Sequence, residues 1–97
     1  MIVGTLEVRL LIRESRTLKD KRQVVRSTLD RLRSGFNVSA AEVETHDDVK
    51  VATLAIATVG FETASVQNVL QQILEAFRKH PVAEYLGSES AVGREVV

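Results

Sequence analysis

The apolar residues of this chain keep two different periods in turn, and the order in which those periods alternate leaves few folds open. From Ile2 to Ile12 the even positions are Ile2, Gly4, Leu6, Val8, Leu10 and Ile12, while Thr5, Glu7, Arg9 and Arg13 fall between them; a repeat of two predicts a half-buried strand. Arg13 to Thr17 is polar, and Thr17 three residues before Asp20 has the spacing of a capping box, so a helix is predicted from Leu18. Its apolar stripe is Leu18, Val25, Leu29 and Leu32, with Val24 and Thr28 beside it, and Gly35 is placed to end it in a left-handed cap.

The period then returns to two. Phe36, Val38 and Ala40 alternate, and Ala41 and Val43 alternate in the opposite phase, which predicts either a bulge or a strand covered on both faces, the bulge being favoured. Thr45, His46, Asp47 and Asp48 form a polar break before a strand over Val49 to Val59, so the two strands are expected as a hairpin. Thr63 is a candidate cap for a second helix, in which Val66, Val69, Leu70, Ile73, Leu74 and Phe77 recur at three and four. Arg78 and Lys79 suit the negative end of that helix's dipole, and Pro81 after His80 stops it. Val82 to Leu86 reads as a short last strand, with 87–97 either an irregular tail or its extension through Val92, Arg94 and Val96.

Two β-α-β halves with right-handed crossovers put both helices on the same face of one sheet. The predicted fold is therefore α+β, ferredoxin-like, β-α-β-β-α-β, with a four-stranded antiparallel sheet in the order 4-1-3-2, formed as a single domain over residues 1–97. That scaffold hosts many activities, so function has to be argued from a site.

Composition removes some chemistries. The absence of cysteine excludes a disulfide scaffold, a thiolate nucleophile and sulfur-ligated zinc. Glu7 and Arg9 interrupt the apolar opening segment, which fits neither a signal peptide nor a membrane span and predicts a cytoplasmic protein with no membrane partner. Net charge is zero but segregated: residues 1–40 hold nine Lys and Arg against four Asp and Glu, and 41–97 hold four against nine.

The basic excess gathers at the first helix. Arg22, Arg33, Arg26 and Lys19 share one flank, and Lys21 turns toward the apolar side, where its stem can cover the core edge while its ammonium reaches water. Cations in an opening turn oppose the helix dipole, and a bound phosphate or carboxylate would reverse that sign. Arg13, Arg16, Lys19, Lys21, Arg22, Arg26 and Arg33 are thus candidates for an anion or RNA-phosphate site, with RNA or a ribosomal particle as the partner. The competing reading is that Asp20, Glu14, Glu42 or Glu44 neutralise them in ordinary surface pairs.

Base stacking is not expected. The first strand and Val49 to Val59 hold none of the four aromatic residues, Phe36, Phe61, Phe77 and Tyr85. The odd-numbered sheet face, with Val3, Leu11, Val51, Ala55, Ala57 and Val59 broken by Glu7 and Arg9, is a candidate homodimer or partner surface. An acyl-phosphate hydrolase would have to draw on Arg13 or Arg16 with Asn37, and the glycine-rich cradle for its phosphate is missing. Glu44, His46, Asp47 and Asp48 read as a solvated hairpin tip rather than a metal site, and His80 as a helix terminus rather than a catalyst. No catalytic residue, metal ligand or cofactor is assigned, and a non-enzymatic role is expected.

At Leu18-Lys19-Asp20-Lys21-Arg22, at Arg31-Leu32-Arg33 and at Phe36-Asn37-Val38-Ser39-Ala40-Ala41-Glu42-Val43, the chain resembles the YlxP-like family of small bacterial proteins. Met1-Ile2-Val3-Gly4 with Leu6, and His80-Pro81, extend the resemblance over nearly the whole chain; it departs near Thr45 to Val49 and over Gly87 to Gly93. The resemblance implies the same fold and a cytosolic setting, and no catalytic residues come with it because the family's function is itself unassigned. Its members are often encoded beside translation-initiation and ribosome-maturation genes, which implies an RNA or ribosome connection by association.

Overall fold

The computed structural model describes residues 1–94. Six elements follow in the predicted order: β1 (Ile2–Leu11), α1 (Leu18–Gly35), β2 (Ser39–Glu42), β3 (Val51–Gly60), α2 (Thr63–Arg78) and β4 (Glu84–Gly93). The strands form one antiparallel sheet in the order β2-β3-β1-β4, the ferredoxin-like arrangement expected from the alternating periods. None of the described helices is long and apolar enough to cross a membrane.

The core lies between the sheet and the helices. Leu6, Val8 and Leu10 of β1 and Ala52, Leu54 and Ile56 of β3 are buried, and they meet Val25 and Leu32 of α1 and Leu70, Ile73 and Phe77 of α2. Strand register explains the close seating of α2. Gly4 pairs with Thr58, and Ile2 with Gly60. A Cβ at Gly4 would stand 2.5 Å from Val66 Cγ1, and one at Gly60 would stand 2.8 Å from Val66 Cγ2. Val66 therefore occupies a hollow that two missing side chains leave in the sheet.

Several local expectations are corrected. Gly35 is the last residue of α1, yet no described glycine takes a positive φ. Phe36 leaves the helix in extended conformation, and its N–H closes the final turn on the Leu32 carbonyl at 2.9 Å, so no left-handed cap is needed. The predicted bulge in β2 is absent, because Ser39–Glu42 pairs residue for residue with β3 and then ends. The phase change between Ala40 and Val43 marks the exit from the strand, completed by Glu44 at φ 64°. A bulge does occur in β4, where Arg9 faces Gly87 and Leu10 faces Tyr85, leaving Leu86 as the extra residue. β4 is also longer than Val82 to Leu86, since β1 offers it a full edge and residues 87–93 pair along it. Val96 lies outside the described residues. Thr63 begins α2 rather than capping it; Glu62 is the N-cap and makes no side-chain cap bond.

Candidate functional site

The start of α1 is built by its own side chains. Thr17 Oγ1 accepts the Asp20 N–H at 3.1 Å, and Asp20 Oδ2 accepts the N–H groups of Thr17 at 3.2 Å and Arg16 at 3.0 Å. This is the reciprocal capping box that the Thr17 and Asp20 spacing predicts. The Arg16 backbone N–H is foremost in holding the Asp20 carboxyl below the usual carboxylate range. An anion approaching here would meet a carboxylate already seated on these donors.

Lys21 is the largest departure from expectation. Its side chain does not reach water; it is 0% exposed, and its Nζ donates to Glu42 Oε2 at 2.9 Å, to the Val51 carbonyl at 3.2 Å and to the Thr45 carbonyl. An ammonium has three donors, and all three are used. Glu42 Oε2 also accepts the Thr45 hydroxyl at 3.0 Å. Lys21 thus leaves the candidate anion site and becomes a buried pin between the first turn of α1 and the β2–β3 connection. Its helical phase toward the apolar side was the sequence signal, but its acceptors come from 21 to 30 residues away.

The remaining candidates separate into two groups. Arg13 pairs with Glu84 at 2.8 Å, and Arg33 donates to the Ala40 carbonyl at 2.6 Å while its other nitrogen lies 3.7 Å from Asp30. Arg16, Lys19, Arg22 and Arg26 are exposed, and among the described residues none of the four has an ion pair. Lys19, Arg22 and Arg26 follow the flank that Arg33 continues down to β2, over roughly 10 Å of helix between Lys19 and Arg26. Thr28, by contrast, turns toward the end of α2, where its hydroxyl meets His80 Nε2 at 2.9 Å. The cations therefore line the outer flank of α1, above the β2 edge of the sheet.

Sequence reasoning missed a second lysine. Lys50 Nζ donates to the carbonyls of Arg13 at 2.7 Å and Ser15 at 2.8 Å, and Ser15 Oγ donates to Val49 O at 2.6 Å. Together with Lys21 these bonds tie the β1–α1 connection to the β2–β3 connection. Nothing in the local pattern distinguishes Lys50 from a solvated turn lysine.

Other candidate chemistry is dispersed. Arg13 and Arg16 follow the C-terminal end of β1, whereas Asn37 precedes Ser39, which pairs with Ala57 and so lies level with Thr5 near the other end. About 30 Å of strand separates them, and the acyl-phosphate constellation is not assembled. Asp48 Oδ1 accepts the N–H groups of Lys50 and Val51, both at 2.8 Å, and the Val51 N–H is foremost in lowering its pKa. Among the described residues no three His, Cys, Asp or Glu side chains gather where a metal could sit. His80 Nδ1 accepts the N–H groups of Val82 at 3.1 Å and Ala83 at 2.9 Å. The Nε2 atom must then carry the proton and donate to Thr28, whose hydroxyl donates to the Val24 carbonyl at 2.8 Å. Burial, with a smaller contribution from Arg31, lowers the His80 pKa from its ordinary 6.5.

The sheet face away from the helices is uncovered. It carries a shallow depression of about 430 Å³ bordered by small side chains, among them Thr5, Ser39, Ala41, Ala57 and Ala91. Glu7 and Glu89 face each other directly across β1 and β4 on this side, and Arg9 follows Glu7 on the same face.

Comparison with known proteins places the chain in a family. The family model described as "Protein of unknown function (DUF503)" matches residues 3–90, nearly the entire chain. The chain belongs to the DUF503 family. A curated relative, "Uncharacterized protein YlxP" of Bacillus subtilis (strain 168), is 29% identical over 83 residues, covering 86% of this chain and 90% of that protein. The YlxP-like resemblance is thereby established at the level of family. As DUF503 is a family of unknown function, it brings no activity to the exposed cations of α1, which must be read on their own geometry.

Proposed function

We propose that this protein is a non-enzymatic RNA-binding module that contacts the phosphate backbone through Arg16, Lys19, Arg22 and Arg26. The observation that carries this reading is the fate of the seven candidate cations. Those with protein partners are pinned or paired, while these four stay exposed and unpaired among the described residues, Lys19, Arg22 and Arg26 on one flank of α1 and Arg16 just before its start. Three neighbouring cations on one helix flank repel one another and are favoured by a polyanion laid along it. Recognition by phosphate contacts also agrees with the lack of aromatic residues on β1 and β3.

The test is fluorescence anisotropy with a labelled single-stranded RNA and a labelled RNA hairpin between 50 and 200 mM salt, comparing the unaltered chain with Arg22→Glu/Arg26→Glu. The expected result is binding at low salt that the double change weakens at least tenfold. Absence of binding at 50 mM salt, or equal affinity of the variant, would overturn the proposal. Lys21 is unsuitable for this test, since a carboxylate there would be buried against Glu42.

A further inference from the structure

We infer that the uncovered sheet face is a self-complementary dimer interface whose register is set by Arg9 of each copy seated on Glu7 and Glu89 of the other. Three observations carry this. The first is an unfavourable pairing within the single chain: Glu7 and Glu89 are directly opposed on β1 and β4, and like charges in that position destabilise a sheet. Among the described residues neither carboxylate has an ion-pair partner, and Arg9, exposed two residues along the same face, bonds to neither.

The second is symmetry. When two copies of one sheet face stack, the two-fold axis lies between them in the plane of contact. An axis perpendicular to the strands and passing beneath Val8 sets β1 antiparallel over its counterpart. Position 7 of one copy then faces position 9 of the other. Arg9 arrives over Glu7 with Glu89 one strand spacing away, and its planar fork can engage both carboxylates. The exchange occurs twice, so every charge of the central patch gains an opposite partner. An axis along the strands would oppose Glu7 to its own copy, to Glu89 or to Ala55, depending on the strand it passes beneath, and so the charge pattern selects the perpendicular arrangement.

The third is shape and extent. Ser39, Ala41, Ala55, Ala57 and Ala91 project little from the sheet, leaving a depression into which a second sheet can settle. Strands of ten residues in β1, β3 and β4 beside a short β2 give a face that would bury about 1,000 Å² in total when doubled. That is the lower bound of specific interfaces, the size range in which weak and transient associations fall. The helix layers then face outward on both sides.

Sedimentation equilibrium and light scattering over a concentration series from 5 µM to 1 mM test this. The unaltered chain should pass from monomer to dimer, and Arg9→Glu, an exposed change on a solvated face, should raise the dissociation constant at least tenfold with circular dichroism unchanged. Mixing Arg9→Glu with Glu7→Arg/Glu89→Arg should restore a one-to-one heterodimer, a rescue that loss of folding could not mimic. A second variant, Ala57→Arg, should also weaken association by blocking the depression. A chain that stays monomeric at 1 mM, or a dimer indifferent to either Arg9→Glu or Ala57→Arg, would overturn the inference. None of these outcomes depends on RNA binding.

Discussion

Lys21 and Arg22 are adjacent in sequence and differ by one step of the helix, yet one is a structural residue and the other is free. For Lys21, burial is tolerable because each ammonium proton has an acceptor and Glu42 supplies the countercharge. Removing one partner leaves the other charge stranded. Lys21→Ala should cost about 3–5 kcal/mol in urea unfolding, and Lys21→Met/Glu42→Leu should recover much of that loss; a single-variant cost below about 1 kcal/mol would refute the role of a pin. His80 makes a different prediction. Burial, with a smaller contribution from Arg31, holds its pKa below the ordinary 6.5, and its Nδ1 is occupied by two backbone N–H groups that it accepts. The unfolded chain takes up a proton first, so this contribution to stability is complete above about pH 6.5 and is lost as pH falls toward the folded value. Thermal midpoints measured from pH 7.5 to 5 should fall less steeply for His80→Asn than for the unaltered chain, and identical slopes would remove this account.

At the scale of elements, α2 is seated by what β1 and β3 lack. Val66 fills the hollow over Gly4 and Gly60, and a methyl group at Gly4 would come within van der Waals distance of both Val66 and Leu70. Gly4→Ala should therefore destabilise by about 1–3 kcal/mol through overpacking, and Gly4→Ala/Val66→Ala should show positive coupling in a double-mutant cycle. Simple additivity of the two changes would indicate that α2 is held elsewhere. α1 is attached differently. Its apolar stripe meets the sheet, but its first turn is fastened by Lys21 to the β2–β3 connection, with Lys50 and Ser15 closing the seam from the other side. Among the described residues the exposed flank above β2 makes no comparable bonds until Arg33 reaches the Ala40 carbonyl. Substitutions at Arg22 and Arg26 belong to the class of surface changes that alter stability by less than about 0.5 kcal/mol, so a loss of RNA affinity in those variants can be attributed to the contact itself.

For the whole molecule, the segregated charge of the sequence is only partly reconciled by folding. Glu42 and Glu84, from the acidic half, neutralise Lys21 and Arg13 from the basic half, while Arg16, Lys19, Arg22 and Arg26 keep their field. With three or four phosphate contacts to single-stranded RNA, the logarithm of affinity should fall with the logarithm of salt at a slope of about −2 to −3, and Arg22→Glu/Arg26→Glu should flatten it. The proposed RNA surface and the proposed dimer surface lie on opposite layers, helices against sheet, so a dimer would present two basic flanks at once.

How much of this was legible beforehand follows from the range of the forces involved. A repeat of two or of 3.6 reports local backbone geometry facing a core, and so the six elements, their order, the ferredoxin-like sheet and the Thr17–Asp20 capping box could be read from the residues alone. The ends of elements were less legible, because β4 lengthens wherever β1 offers an edge, and Gly35 needs no left-handed cap when Phe36 leaves extended. Helical phase set Lys21 apart from its neighbours, but the partners of each cation could not be read. Lys21, Arg22 and Lys50 carry the same unit charge in similar polar surroundings along the chain, and only folding brings Glu42, Val51 and the Ser15 carbonyl beside two of them. Periodicity is set by neighbours in sequence, whereas neutralisation of a charge depends on groups that tertiary contact alone delivers.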